Sequence, residues 1–164
     1  MREDEEYFYT KEWFKLKGFK IIAGQPPKGS DNIPVLEIKD VNYLDNGSKG
    51  SFKPDLVTIN SNNIIIIECK PKYDSSDKDK LLSVLFDDNR KFLLYEQLNQ
   101  RNLLVKSSYD KFFSSFAIFN NKLKCCLSNT SSNIVLENLS NLQIKAKIKD
   151  SVLTNSLDLN YKIN

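Results

Sequence analysis

Residues 2–17 set Tyr9, Trp13 and Leu16 at i, i+4 and i+7, one stripe of a helix, with Lys11 and Lys15 on the opposite side. Glu3, Asp4, Glu5 and Glu6 crowd its first turns, where the helix dipole favours negative charge, and Gly18 is the natural stop. Strand patterns follow at residues 19–23 and 33–39, separated by a loop carrying Pro26, Pro27 and Gly29. After a polar, glycine-containing connection, two more strands are predicted at residues 54–59 and 63–70. Asn60, Ser61, Asn62 and Asn63 give the turn between them, and Pro71 closes the second strand. Ser76, with Asp79 three residues on, predicts a helix from Asp77 whose apolar face is Leu81, Leu82 and Leu85. It continues, or restarts after Asp87, Asp88 and Asn89, through Phe92, Leu93, Tyr95, Leu98 and Leu103. Residues 112–119 and 122–127 read as a hairpin around Asn120 and Asn121, and residues 143–149 alternate as a half-buried strand. Residues 129–142 carry no firm pattern. The order of elements predicts an α/β or α+β fold, a mixed central sheet flanked by helices, as one domain over residues 1–164.

Composition narrows the chemistry. A hydrophobic fraction of 40% with 11% aromatic residues argues against disorder, and no apolar run approaches the ~20 residues of a membrane span. The acidic start, without the basic-then-apolar pattern of a secretory signal, predicts a cytoplasmic protein. Cys69, Cys125 and Cys126 are odd in number and two are adjacent, which argues against a disulfide framework. The adjacent pair reads as strand packing with one partly exposed thiol. The absence of histidine excludes Ser-His-Asp triads, Cys-His nucleophiles and His-based zinc sites. Hydrolysis in this chain must run on carboxylates, lysine, tyrosine or a hard metal. A net charge of +3 permits nucleic acid as partner without demanding it.

The remaining candidates converge on residues 51–72. With the turn centred between Ser61 and Asn62, an antiparallel hairpin sets Asp55 directly across from Glu68. Glu68 and Lys70, two apart on one strand, share its face. Directly opposed β-carbons lie roughly 4.5–5.5 Å apart, so two carboxylates and an ammonium gather on one patch. Two ionised acids ~5 Å apart repel by about 3 kcal/mol at an effective dielectric of 20. A divalent cation offsets that best, and oxygen-only ligation suits Mg²⁺. The Cys69 carbonyl is a further candidate ligand, while its thiol turns to the packed face. A surface hairpin with a cross-strand ion pair is the alternative, opposed by Ile64, Ile65, Ile66 and Ile67, which make the strand apolar on both faces. Such a site fits phosphodiester hydrolysis, with Lys70 positioning or deprotonating the attacking water and stabilising charge on the phosphate.

Pro54-Asp55 followed after a short hairpin by Glu68-Cys69-Lys70 resembles the PD-(D/E)xK nuclease superfamily. The resemblance covers roughly residues 5–104 and implies a restriction-endonuclease-like fold, with Asp55 and Glu68 as metal ligands and Lys70 as the catalytic lysine. Many members carry one more acid on the first helix; Glu6 is the choice here, with Glu5 and Glu12 as alternatives. Lys72, Lys78 and Lys80, with Arg90 and Lys91 further on, are candidates to grip phosphates, against a solvated helix face. Glu37 could approach from a neighbouring strand. The expected activity is a Mg²⁺-dependent DNA endonuclease of restriction or phage-defence type, with Mn²⁺ as a substitute. A homodimer is expected, because cutting both strands with one small site per chain calls for two copies. A methyltransferase or a larger nuclease subunit is a possible partner. Structure-selective cutting, or a nucleic-acid-binding module that no longer turns over, are the competing readings.

Overall fold

The computed structural model describes residues 2–29, 31–72, 74–104, 115–129, 134–137, 143–146 and 160–162. Helix α1 (Glu3–Leu16) ends where the sequence predicts: Gly18, at φ 83°, and Phe19 donate back to Lys15 and Phe14. This is a glycine-closed helix end, sealed by the edge-to-face contact of Phe14 with Phe19. Its buried stripe is rotated from the predicted one. Glu6, Tyr7, Thr10, Trp13 and Phe14 face inward, whereas Leu16 is exposed and Tyr9 half-buried. Two polar residues sit on the packed side because they satisfy one another there: Ser128 Oγ donates to Glu6 Oε1 at 2.6 Å and lies 2.7 Å from Thr10 Oγ1.

Strand β1 (Lys20–Gly24) pairs antiparallel with β2 (Leu56–Ile59), with a bulge between Ile21 and Ala23. β2 pairs antiparallel with β3 (Ile64–Lys70), matching Leu56 to Ile67 and Ile59 to Ile64. Asn60 makes the turn by accepting from the N–H groups of Asn62 and Asn63. The turn is therefore centred between Ser61 and Asn62, and the predicted register holds. β2 begins at Leu56 rather than at Pro54, since proline has no N–H for a ladder and the Asp55 N–H is turned to a side chain.

Residues 33–39 do not form the predicted strand. They run extended with one bridge, Ile38 to Phe52; Pro34 has no N–H, and its carbonyl is taken by Gly24. Helix α2 (Ser75–Leu85) starts two residues before the predicted Asp77, because Asp74 rather than Ser76 caps it. Asp87 caps a separate α3 (Asp88–Gln100), so the helix restarts rather than continues.

The predicted hairpin over residues 112–127 is instead a helix, α4 (Phe116–Lys122), running straight into strand β4 (Leu123–Asn129). Ser115 caps α4 through the Ile118 N–H, and Asn120 and Asn121, which read as a turn, lie in its last turn. Phe116 and Phe119, at i and i+3, pack against Tyr95 of α3. Phe112 and Phe113 lie outside the described residues.

β3 and β4 are parallel, as a connection through three helices allows. β5 (Ile134–Glu137), β6 (Gln143–Ala146) and β7 (Asn160–Lys162) continue antiparallel beyond β4. β5 falls in the stretch whose pattern gave no prediction, and residues 147–149 of the predicted alternating strand lie outside the described residues. Among the described residues the result is a mixed α/β fold with one seven-stranded sheet in the order β1 to β7.

The central strands are apolar on both faces because both are covered. Leu56, Ile65, Ile67, Cys69 and Cys126 pack with Tyr7, Trp13, Phe14 and Phe19 on the α1 side. Val57, Ile59, Ile64, Ile66 and Cys125 pack with Leu81, Val84, Leu94 and Phe119 on the other. Cys125 and Cys126 are thus both buried, and neither offers the partly exposed thiol expected from sequence. No described helix is long and apolar enough to cross a membrane.

Candidate active site

The ladder of β2 and β3 ends at Leu56 and Ile67, and its register carried one residue further sets Asp55 across from Glu68. Two hydrogen bonds replace the ladder there. The Asp55 N–H donates to Glu68 Oε1 at 3.3 Å, and the Cys69 N–H donates to Asp55 Oδ2 at 2.7 Å. Each carboxylate is fixed to the partner strand's backbone through one oxygen. Glu68 follows Ile64 and Ile66 on the α2 face, at the end of the apolar run; it is 4% exposed. Cys69 alternates to the α1 face, so its thiol turns to the packed side as predicted, and burial pushes its pKa well up.

Gly24 allows this arrangement by close approach. A β-carbon on it would lie 2.3 Å from the Asp55 carbonyl oxygen, and that carbonyl accepts from the Gln25 N–H at 3.0 Å. The loop after β1 is therefore laid directly against the backbone of Asp55.

Lys70 meets the beginnings of two helices. Its Nζ donates to Glu3 Oε1 at 2.6 Å and lies 4.0 Å from Asp77 Oδ2 in the first turn of α2. Asp77 is 2% exposed and also accepts from Lys80 through Oδ1 at 2.7 Å.

These neighbours explain the acidities. Asp55 is raised above the ordinary carboxylate range by desolvation, with the charges of Glu3 and Asp77 adding and the Cys69 N–H and Lys70 opposing. Glu68 is raised by desolvation and then by the charges of Asp55 and Asp77. Lys70 is raised, chiefly by its hydrogen bond to Glu3, and so stays protonated.

The structure thus brings Asp55, Glu68 and Lys70 together, and adds two residues that sequence reasoning did not select, Glu3 and Asp77. Of the helix acids considered, Glu6 is directed to Ser128, Glu5 folds back to accept from the Arg2 N–H, and Glu12 pairs with Lys15. Desolvation raises the pKa of Glu6, opposed by the bond from Ser128. Glu3 is the α1 acid that reaches the lysine.

Glu37 is engaged by Ser51 at 2.6 Å and by Lys39, and its pKa is lowered to about 2, first by the Ser51 bond. Arg90 and Lys91 are not free to grip phosphate. Arg90 is 7% exposed and donates to Asp40, Gly50 and Ser83, while Lys91 is 2% exposed and pairs with Asp88. Lys72 is exposed, Lys78 half-buried, and Lys80 exposed although paired with Asp77.

A signal for Asp77 was present in the sequence: it lies four residues before Leu81 and seven before Val84, an acid on the buried stripe of α2. Glu3 likewise lies four before Tyr7 and seven before Thr10 on the inner stripe of α1.

The donor set is all oxygen, which suits a hard divalent cation. Two observations support the fit: burial, with the charges of neighbouring acids, raises the pKa of both Asp55 and Glu68, and Asp77 Oδ2 is a buried oxygen that accepts no hydrogen bond. Among the described residues, no three acidic or thiol side chains stand gathered as a ready-made metal cage. No family model, curated protein or solved structure matches the chain.

Proposed function

We propose that this protein is a Mg²⁺-dependent DNA endonuclease of restriction or phage-defence type, on a restriction-endonuclease-like fold, working as a homodimer. The observation that carries the reading is the register of β2 on β3. It holds Asp55 opposite Glu68 with Lys70 two residues on, at the end of a buried strand between the starts of α1 and α2. Buried acids at a strand end are costly without a cation, and catalytic groups are where such cost is retained.

Asp55 and Glu68 would hold the cation, with the Cys69 carbonyl as a candidate further ligand and Mn²⁺ as a substitute. When bound, the ion supplies Lewis acidity to the phosphoryl group and lowers the pKa of water. Lys70, kept protonated by Glu3, acts as a cation and donor rather than as a general base, narrowing the two roles open from sequence. It would orient the attacking water and neutralise charge growing on the phosphate. The positive ends of α1 and α2 favour an anion at the same place. Lys72, Lys78 and Lys80 lie just beyond β3 and at the start of α2, where they would meet the flanking phosphates.

One observation favours a second reading, a nucleic-acid-binding module without turnover: Asp55 and Glu68 are each tied to a backbone N–H. Incubation with linear, branched and flapped DNA in Mg²⁺ or in EDTA separates the possibilities. The nuclease reading predicts cleavage in Mg²⁺ alone. Cleavage of branched substrates only would move the assignment to a resolvase or repair nuclease, and DNA binding without cleavage would move it to the inert module.

A further inference from the structure

We propose that Lys53 binds a backbone phosphate of the nucleic-acid strand that crosses the site, on the β2 side, with Lys72 doing so on the β3 side. The inference rests on the nucleic-acid reading above and goes beyond it by assigning a contact residue and the side on which the strand continues.

Lys53 stands two residues before Asp55, and its backbone is held on both sides. Phe52 exchanges two hydrogen bonds with Ile38, at 2.7 and 2.9 Å, and the Pro54 carbonyl accepts from the Gln25 N–H at 3.2 Å. The residue before a proline is confined to extended backbone. Phe52 and Pro54 are buried, and Lys53 between them is exposed. The ammonium is thus carried outward from a fixed base, so an anion has only the side-chain stem to order. Its charge is also unspent. Lys70 is matched by Glu3, Lys80 by Asp77, Lys28 by Asp4 and Lys11 by Asp31. Lys53 and Lys72 are exposed and make no hydrogen bond or ion pair among the described residues. They lie just outside β2 and β3, at the end of the sheet that carries Asp55 and Glu68. A polyanion that reaches these acids needs cations that no carboxylate already holds. Two residues of extended chain span roughly 6–7 Å, about two nucleotide rises along one strand. Lys53 therefore meets a phosphate beside the one at Asp55, not the reacting one.

Equilibrium binding of the full chain to labelled duplex DNA, in EDTA and again in Ca²⁺, tests this in the parent, Lys53→Gln, Lys53→Arg and Lys20→Gln. Lys20 is an exposed lysine at the far end of β1, opposite Ile59, and its substitution removes the same charge. Lys53→Gln is expected to weaken binding severalfold at ~50 mM salt, with a deficit that shrinks by roughly threefold at ~200 mM, the signature of one lost phosphate contact. Lys53→Arg should bind with the salt dependence of the parent, and so should Lys20→Gln. Acetylation of the parent's lysines is a check that needs no variant: DNA should shield Lys53 and leave Lys20 reactive. Equal affinity and salt dependence in Lys53→Gln and Lys20→Gln, or equal acetylation of Lys53 with and without DNA, overturns the proposal and leaves the nuclease reading standing. A lower unfolding temperature in Lys53→Gln with the parent's salt dependence would mark a structural role and overturn it too. A parent that binds no DNA in either solution removes both.

Discussion

Asp55 and Glu68 are two acids that folding moves toward neutrality, and this makes them the most sensitive reporters of the account. Both pKa values are raised in the folded state, so the folded chain holds protons that the unfolded chain releases. The stability they permit is present while both are protonated, below the ordinary carboxylate range, and is lost as pH rises through the raised values. Without metal, the unfolding temperature is therefore expected to fall between mildly acidic and slightly alkaline pH. Asp55→Asn should flatten this fall and raise the unfolding temperature near neutrality by several degrees, each 1 kcal/mol being worth roughly 2–4 °C in a chain of this size. The amide oxygen can still accept from the Cys69 N–H, so the gain isolates the charge. Mg²⁺ should then stabilise the parent more than the variant; equal shifts would argue against a shared cation. At this scale the sequence was legible where chemistry follows from position on a strand, as for Asp55, Glu68 and Lys70. It was less so for Glu3 and Asp77, whose roles appear only when two helix starts meet Lys70.

Among the elements, the β2–β3 hairpin was readable because its register is set locally, by Asn60 and a two-residue loop. Residues 33–39 and 116–122 were not, because in each the deciding partner is distant in sequence. Gly24 takes the Pro34 carbonyl in the first, and Tyr95 receives the Phe116 and Phe119 ridge in the second. The inward rotation of α1 has the same origin, since Glu6 and Thr10 are tolerated in the core only because Ser128 arrives from β4.

The junction of β1 with Asp55 gives a test at this scale. Gly24→Ala would drive a methyl into the Asp55 carbonyl, so something must shift. The expected result is a loss of about 1–3 kcal/mol in stability, typical of overpacking. Cleavage should fall by about 100-fold, as a misplacement near 1 Å can cost. Thermal unfolding and a cleavage rate on the same preparation check the pair, and a stability loss with full activity would show that Asp55 does not depend on this contact.

At the scale of the described fold, central strands covered by α1 on one side and by α2, α3 and α4 on the other place the candidate site at the end of β3. One site per chain cuts one strand at a time, so double-strand cleavage is expected to come from a dimer, with sedimentation of the protein on its DNA showing two chains per duplex. Nicking by a single bound chain would remove that requirement. The central claim, that Asp55, Glu68 and Lys70 act together on a phosphodiester, is tested most directly by the rate of Mg²⁺-dependent plasmid cleavage in the parent and in Asp55→Ala, Glu68→Ala and Lys70→Ala. Cleavage by the parent and none by any of the three, each folded by thermal unfolding, is the predicted result; full activity in any one of them would contradict it.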